Sequence, residues 1–211
     1  MNQKITVTIN REYGSGGRAL GERLSEELGV HYYDKEILKI ASDVSGINEA
    51  LFNNADELFR KTSLFRAAHD VYRGELISPE SRDFTSDRNL FNYQAEVIRH
   101  LCETESCVIV GRCAGYVLKD APNVLHVFVH APREYLIEQA ANKKSLPRRE
   151  LEKYVDRANK RRAEYTEQFT GCRWDDVRGY DLSLDTSKFS LDECVELIKG
   201  YMKVRFKGLE L

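Results

Sequence analysis

Short apolar runs recur along this chain, and each of them is followed by polar or glycine-containing residues. Residues 5–9 form such a run, which stops at a polar Asn-Arg-Glu. Comparable runs occupy residues 30–33, 107–110, 124–129 and 181–184. Runs of this length that are rich in β-branched residues and bounded by turn residues are typical of buried strands. We therefore expect five strands, with 107–110 and 124–129 at the centre of a sheet.

The segments between these runs carry the periodicity of amphipathic helices. Leu20, Leu24 and Leu28 recur every four positions among charged residues, and Gly29 follows them as a predicted C-terminal cap. Residues 191–206 form the last helix of this kind. Because strands and helices alternate along the chain, the pattern predicts the α/β class, as a three-layer sandwich with a five-stranded parallel sheet.

Two segments are too long to be simple connections between strands. About 70 residues separate the second and third strands, so we expect a mostly helical insertion over residues 35–105. Within it, Asn89 is a predicted helix N-cap and residues 78–89 a predicted mobile loop. Residues 147–169 predict one long helix, which we expect to belong to a lid over residues 146–177. The core of the expected single domain comprises residues 1–34, 106–145 and 178–211.

Composition restricts the possible functions. The net charge of -2 argues against a nucleic acid polymer as partner, because binding to a polyanion depends on excess basic charge. The five cysteines form no Cys-x-x-Cys pair, and the five histidines lack the spacing of metal ligands. No apolar leader follows Met1, and no apolar run approaches the roughly 18 residues of a membrane span. We therefore expect a soluble, cytoplasmic protein that does not bind a membrane.

A glycine-rich loop, Gly14-Ser15-Gly16-Gly17-Arg18, follows the first strand and opens the first helix. Successive backbone N–H groups at such a turn, with the helix dipole behind them, bind a phosphate without any side chain. We assign all five of these residues to phosphate binding by a nucleotide. A tight turn without a ligand is the alternative, but it needs fewer glycines.

A dinucleotide site is a second interpretation of the same loop. Gly14 and Gly16 open the helix, and Asp34 follows about twenty residues later, at the end of the second strand, where it would hold a ribose. The third glycine of the G-x-G-x-x-G pattern falls on Ala19, a replacement that the pattern tolerates. This loop alone therefore leaves two ligand classes open, a nucleoside triphosphate and a dinucleotide.

Arginines elsewhere in the chain favour the triphosphate. Arg112 follows the third strand, at the sheet edge where open α/β sheets bind ligands. Arg157 and Arg161 lie four residues apart on the predicted lid helix, and Arg162 falls on its apolar stripe, where an unpaired charge is costly. A phosphate bound between lid and sheet would offset both the repulsion between Arg157 and Arg161 and the cost of the unpaired charge of Arg162. The predicted catalytic residues are Arg18, Arg157, Arg161 and Arg162, and the predicted acceptor-binding residues are Asp34 and Arg112.

The order of these features resembles that of the P-loop nucleoside monophosphate kinases, most closely their cytidylate-kinase-like branch. The strongest matches are residues 9–18, the Tyr-Tyr-Asp at 32–34, and residues 108–115 with the following Asp-Ala-Pro at 120–122. The resemblance implies a P-loop NTPase fold and transfer of the γ-phosphoryl group of ATP, with Mg²⁺, to a pyrimidine monophosphate. It also implies that the loop holds the donor phosphates, that the insertion holds the acceptor, and that lid arginines contact the transferring group.

Three positions depart from the family pattern. The loop lysine of the family falls on Gly17, and the following Ser or Thr falls on Ala19. We expect Arg18 to take over the charge of the missing lysine. The acidic residue that helps to hold the acceptor nucleotide is replaced by Cys113, which weakens the prediction of cytidine specificity.

The metal ligands and the activity itself are therefore left open by the resemblance. Ser15 or Asp34 would assist Mg²⁺ binding through water, because the usual loop hydroxyl is absent. The leading hypothesis is an ATP-dependent kinase that acts on a nucleoside monophosphate or a related small phosphate acceptor. The alternative is a non-catalytic nucleotide-binding or regulatory protein with a degenerate P-loop.

Overall fold

The computed structural model describes residues 4–57 and 72–207 of the chain. Its strands are β1 (Thr6–Arg11), β2 (His31–Tyr33), β3 (Cys107–Val110), β4 (Val124–His130) and β5 (Leu182–Asp185). They form one sheet in the order β2-β3-β1-β4-β5, and every neighbouring pair is parallel. The prediction of a five-stranded parallel sheet is thus confirmed, and the two runs that we expected at its centre flank β1 on either side.

Helices occupy most of the remaining described residues. They are α1 (Gly17–Leu28), α2 (Glu36–Ser45), α3 (Glu49–Glu57), α4 (Asp87–Thr104), α5 (Ala114–Val117), α6 (Arg133–Ala141), α7 (Arg148–Thr170) and α8 (Leu191–Arg205), with a 3-10 turn at Val177–Gly179. Gly29 ends α1 in the left-handed conformation, with φ 63°, as we expected. No helix among residues 4–57 and 72–207 is both long and apolar enough to cross a bilayer.

Two apolar cores cover the two faces of the sheet. On one face, alternate residues of the strands, among them Ile9 and Val127, pack against α1 and α8. On the other face, Ile109 and Val124 pack against α2, α4 and α5, and Phe52 of α3 joins the same core. A sheet with helices on both faces is the three-layer sandwich that the alternating pattern predicts.

The strand order counts against the dinucleotide interpretation of the glycine loop. In the dinucleotide-binding fold the order is 3-2-1-4-5-6, so the second strand lies beside the first. In this chain β3 lies between β2 and β1. The loop after β1 therefore faces the end of β3, where the Gly-Arg pair at 111–112 follows the strand.

The prediction that Asn89 is a helix N-cap is wrong. Helix α4 begins at Asp87, and the hydroxyl of Ser86 accepts the capping hydrogen bond from the backbone N–H of Asn89. The buried side chain of Asn89 instead donates to the carbonyl of Phe84 at 2.8 Å and accepts from the N–H of Ile77 at 2.8 Å. The predicted loop therefore ends at Ser86, and its mobility stays a prediction.

Candidate functional site

The glycine loop connects β1 to α1 at the carboxyl edge of the sheet. Gly14 and Gly16 have φ values of 93° and 80°, in the left-handed region that favours glycine. A Cβ on Gly14 would overlap the carbonyl oxygen of Leu136, so the backbones of the loop and of α6 meet there. Gly16 is the N-cap of α1, and no acidic residue occupies the first turn. The positive end of the helix dipole therefore lies at the loop without a carboxylate beside it in that turn.

Ser15 faces into the loop and away from the adjoining cleft. Its side chain and backbone are 2% exposed, and its hydroxyl donates to the carbonyl of Glu12 at 2.8 Å. The backbone N–H of Ser15 is directed to the same carbonyl, at 3.3 Å. Ser15 therefore closes the turn and does not line the cleft, and its predicted contact with phosphate or a metal ion stays a prediction. The predicted loop residues that do line the cleft are Gly14, Gly16, Gly17 and Arg18.

A cleft of about 730 Å³ lies between this loop, the ends of β2 and β3, and helix α7. Its described lining includes seven cationic side chains, and these are Arg11, Arg18, Lys35, Arg112, Lys143, Arg161 and Arg162. Only two carboxylates, those of Glu12 and Asp34, line it among the described residues. Such an excess of positive charge, in a chain whose net charge is -2, favours an anionic ligand in this cleft.

Three guanidinium groups surround the carboxylate of Asp34. Its oxygens lie 3.9 Å from Nη2 of Arg11, 3.8 Å from Nε of Arg18 and 3.8 Å from Nη2 of Arg112. The side chains of Asp34 and Arg112 are only 10% and 5% exposed. Among the described residues, one carboxylate is thus shared by three guanidinium groups in a partly dehydrated setting, where charge interactions are stronger than in water. The structure thus brings together Arg18, Asp34 and Arg112, and their predicted roles stay predictions.

Arg11, the last residue of β1, is a cleft residue that the sequence analysis missed. Its side chain is 18% exposed, and its guanidinium lies directly over Gly111, where a Cβ would overlap Nη1. The alternation of strand residues puts Arg11 on the same face as Ile9, but it does not show which group of a neighbouring strand lies beside the guanidinium. Here the neighbour is β3, and Gly111 at its end leaves the space that the guanidinium fills.

Three successive residues after β3 have left-handed backbone conformations. Their φ values are 82° for Gly111, 58° for Arg112 and 53° for Cys113. Positive φ is uncommon outside glycine and is concentrated at functional sites. Arg112 and Cys113 both line the cleft, and the Sγ of Cys113 lies 3.8 Å from the hydroxyl of Thr166 on α7. The strained turn therefore places an arginine and a thiol between the sheet and the lid helix.

Helix α7 contacts the glycine loop directly. Nη1 of Arg162 donates to the carbonyl of Arg11 at 2.9 Å, and Oδ1 of Asn159 accepts from the backbone N–H of Tyr13 at 2.7 Å. The guanidinium of Arg162 also lies 5.9 Å from the centre of the Tyr13 ring. The structure therefore places Arg161 and Arg162 at the cleft, with α7 against the loop.

Arg157 does not line this cleft, contrary to the prediction. It is exposed, its Nε donates to the carbonyl of Lys153 at 3.1 Å, and it lines a separate groove on α7 that includes Lys160 and Glu164. The α7 residues at the cleft are Tyr154, Ala158, Arg161, Arg162, Tyr165 and Thr166. The helical repeat places Arg157 beside this face, because one residue advances the direction of a side chain by about 100°.

A hydrogen-bond network fastens the segment after α7 to β1. Nε1 of Trp174 donates to Oδ1 of Asn10 at 2.9 Å, and Nδ2 of Asn10 donates to the hydroxyl of Tyr180 at 2.8 Å. The Tyr180 hydroxyl donates in turn to the carbonyl of Trp174 at 2.7 Å. Burial raises the pKa of Tyr180 to about 12, so this phenol stays a donor at neutral pH. Asn10 and Trp174 both line the cleft, and the sequence analysis had assigned neither a role.

The carboxylates of the cleft fit a magnesium ion that is held mainly by phosphates. No group of three or more His, Cys, Asp or Glu side chains in the described part of the chain could hold a metal ion by itself. At phosphoryl-transfer sites, however, Mg²⁺ is bound by one or two carboxylates together with the phosphates of the substrate. Asp34 and Glu12 supply such carboxylates, and Oε2 of Glu12 also accepts from the N–H of Ala131 at 3.1 Å.

A family model, a curated protein and two solved structures each match most of this chain. The model of the cytidylate kinase-like family matches residues 6–188. A cytidylate kinase of Methanosarcina barkeri is 23% identical over 198 residues, which cover 92% of this chain and 94% of that protein. The solved structure of an uncharacterized protein from Eubacterium ventriosum superposes with a TM-score of 0.68 at 23% identity, over 95% of this chain and 99% of that one. Shikimate kinase from Acinetobacter baumannii superposes with a TM-score of 0.52 at 10% identity, over 98% and 97%.

Proposed function

Because the chain belongs to the cytidylate kinase-like family, we propose that it transfers the γ-phosphoryl group of ATP to a nucleoside monophosphate or a related small phosphate acceptor. The observation that supports this function is the cleft between glycine loop and lid, which seven cationic side chains line among the described residues. Two phosphorylated substrates in one cleft carry several negative charges, and catalysis of phosphoryl transfer depends mainly on neutralising and positioning them.

The donor phosphates lie, in this proposal, against the loop at the start of α1. Gly14, Gly16 and Gly17 leave the backbone accessible, and the first N–H groups of a helix have no partner within the helix. Arg18 adds charge at the same end of the helix. Asp34 or Glu12 would hold Mg²⁺ from the protein side, and the ion would supply charge neutralisation at the donor phosphates.

The acceptor phosphate and the transferring group are assigned to the cations on the other walls of the cleft. Arg112 and Lys35, which follow β3 and β2, contact the acceptor. Arg161 and Arg162 of α7 stabilise the charge that spreads over the equatorial oxygens of the transferring group. Closure of α7 over the site excludes water, which would otherwise accept the phosphoryl group.

The acceptor base is not expected to be restricted to cytosine. Cys113 stands where the resemblance implies an acidic residue that helps to hold the acceptor nucleotide. A thiol does not accept hydrogen bonds from a base edge as a carboxylate does. We therefore expect several monophosphates to be used with similar KM values.

A regulatory nucleotide-binding protein is the second candidate, and the loop itself favours it. Counted from Arg11, the lysine position of the G-x-x-x-x-G-K-[ST] pattern is Gly17 and its hydroxyl position is Arg18, one residue before the Ala19 that we first expected. The loop therefore supplies neither group, and the hydroxyl of Ser15 is directed into the turn. Such a loop would bind ATP by its backbone without promoting transfer.

An assay of ADP formation over a panel of acceptors separates the two candidates. The panel comprises CMP, dCMP, UMP, AMP, GMP, shikimate and gluconate, each with ATP and Mg²⁺. A kinase forms ADP with a stoichiometric phosphorylated acceptor for at least one monophosphate. Measurable ATP binding without turnover on any acceptor would instead support the regulatory protein and refute the kinase.

A further inference from the structure

The glycine loop keeps the spacing of the G-x-x-x-x-G-K pattern, but two residue types in it are exchanged. Gly16 occupies the sixth position of the pattern. Arg11 stands at the first position, where the pattern has glycine, and Gly17 stands at the seventh, where it has lysine. In the usual loop the lysine reaches the β- and γ-phosphates. Compared with the pattern, the basic residue and the glycine have therefore exchanged positions.

The two exchanged positions are in direct contact in the structure. A Cβ on Gly17 would lie 2.6 Å from Cβ and 2.9 Å from Cγ of Arg11. Real Cβ atoms do not come so close, so Gly17 leaves room for the stem of Arg11. Since a side chain at 17 would occupy the space of the Arg11 stem, the two positions border the same part of the cleft.

A second glycine provides for the charged end of the same side chain. The guanidinium of Arg11 lies against Gly111, where a Cβ would overlap Nη1 and lie 2.9 Å from Cζ. Its Nη2 is 3.9 Å from Asp34, on the wall of the cleft. Two glycines on different elements therefore accommodate one arginine, which is a specific arrangement and not a surface side chain at a strand end.

Arg18 is less suited to the task that the sequence analysis gave it. Its side chain is 61% exposed, and its Nε lies 3.2 Å from Glu22 on the same helix. The side chain of Arg11 is only 18% exposed. Charge interactions weaken as water surrounds the charges, so a phosphate gains more from the guanidinium of Arg11 than from that of Arg18.

We infer that Arg11 is the residue that contacts the β- and γ-phosphates of the nucleoside triphosphate in place of the missing loop lysine, with Gly17 and Gly111 making room for it. This inference rests on the proposed function. The planar guanidinium of Arg11 can donate two parallel hydrogen bonds to phosphate oxygens, which the ammonium group of a lysine cannot. We therefore expect the Arg11→Lys variant to retain only part of the wild-type affinity for ATP.

Calorimetric titration of the full chain with ATP, ADP and AMP tests the inference. The variants are Arg11→Met, which keeps most of the apolar stem, and Arg18→Met. Arg23→Met is the matched control, since this arginine of α1 pairs with Asp192 outside the cleft. Arg11→Met should weaken ATP binding by about thirtyfold or more, because removing one partner of a partly buried charged pair has an effect of that order. AMP binding should change by less than about threefold, and Arg18→Met should affect ATP less than Arg11→Met does.

An exchange variant gives a second and independent measurement. Arg11→Gly should lose ATP affinity, and Arg11→Gly combined with Gly17→Lys should recover it, because the pair then has the usual pattern. The backbone at Gly17 is outside the left-handed region, so it accepts a lysine. Of the three atoms nearest to the new Cβ, two belong to the side chain of Arg11, and the third, Cγ2 of Val129 at 2.7 Å, must shift. A double variant that melts like wild type but binds ATP as weakly as Arg11→Gly would overturn the exchange.

Failure of the inference and failure of the proposed function are distinguishable. If wild type phosphorylates an acceptor and Arg11→Met binds ATP as wild type does, the inference is refuted and the kinase stands. If Arg18→Met alone loses triphosphate affinity, Arg18 is the replacement for the lysine. If wild type binds no nucleotide, both are refuted.

Discussion

The backbone N–H of Tyr13 donates a 2.7 Å hydrogen bond to Oδ1 of Asn159, and this bond joins the glycine loop to the lid helix α7. The loop that we propose to bind phosphate and the helix beside it are thereby coupled through one side chain. The carbonyl of Arg11, two residues before Tyr13, accepts a second bond from Arg162 of the same helix at 2.9 Å. Displacement of the helix from the loop must break both bonds.

Replacement of Asn159 by Ala should loosen the lid. The N–H of Tyr13 then loses its acceptor, at a cost of about 1 kcal/mol, and we expect ATP to bind about fivefold more weakly. ATP hydrolysis without acceptor should rise, because the open lid admits water. Asn159→Asp keeps an acceptor oxygen and should restore the affinity, and Lys160→Ala, an exposed neighbour on α7, is the control. Unchanged hydrolysis in Asn159→Ala would contradict the coupling.

Asp34→Asn should make the fold depend on bound anions. The change removes the negative charge that Arg11, Arg18 and Arg112 share, and the free energy of unfolding should fall by about 2–3 kcal/mol, less than for a fully buried pair because Arg18 is largely exposed. Phosphate or sulfate should then raise the melting temperature of Asp34→Asn more than that of wild type. Thermal denaturation with and without millimolar phosphate measures this, and equal shifts in the two proteins would refute the electrostatic role of Asp34.

Trp174 should report ligand binding by its fluorescence. It is the only tryptophan of the chain, it is 7% exposed, and it lines the cleft while its Nε1 donates to Asn10. An anion that enters the cleft changes the field around the indole, so titration with ATP should shift or quench its emission in a saturable way. Asn10→Ala should lower the amplitude by releasing the indole from β1. Emission that does not respond at ATP concentrations where calorimetry detects binding would place the nucleotide elsewhere.

Stability should decrease as the pH falls below about 6.5, in part through His126. Burial lowers the pKa of this histidine, the nearby Arg205 lowers it further, and Asp181 opposes them. In this pH range the unfolded chain takes up a proton that the folded chain resists, so acidification favours unfolding.

The melting temperature of His126→Gln should therefore fall less than that of wild type when the pH is lowered from 7.5 to 5.5. Its side chain still reaches Thr8, whose hydroxyl lies 2.9 Å from Nδ1 of His126 in wild type. His100→Gln, at an exposed position on α4, is the comparison variant and should follow wild type. If the melting temperature of His126→Gln falls with pH as steeply as that of wild type, His126 does not contribute to the loss of stability in acid.

Local patterns were enough to predict the strands and the four longest of the described helices. The run at residues 107–110 is β3 as predicted, and the last helix differs by one residue at its end, Leu191–Arg205 in place of 191–206. Hydrophobic periodicity and capping residues involve only a few neighbouring positions, so they can be recognised in the sequence before the fold is known. The N-cap of α4 was misassigned for a related reason, because Ser86 and Asn89 are both good capping residues and only the turn before α4 decides between them.

The sequence by itself determined that a glycine turn joins β1 to α1 and that arginines are concentrated on the lid helix, because these features need only residue type and spacing. The tertiary structure alone decided which of those side chains meet. It directed Arg11 into the cleft across Gly17 and Gly111, and it left Arg157 outside. The direction of a side chain depends on how elements far apart in the chain pack together, and a sequence pattern does not contain that information.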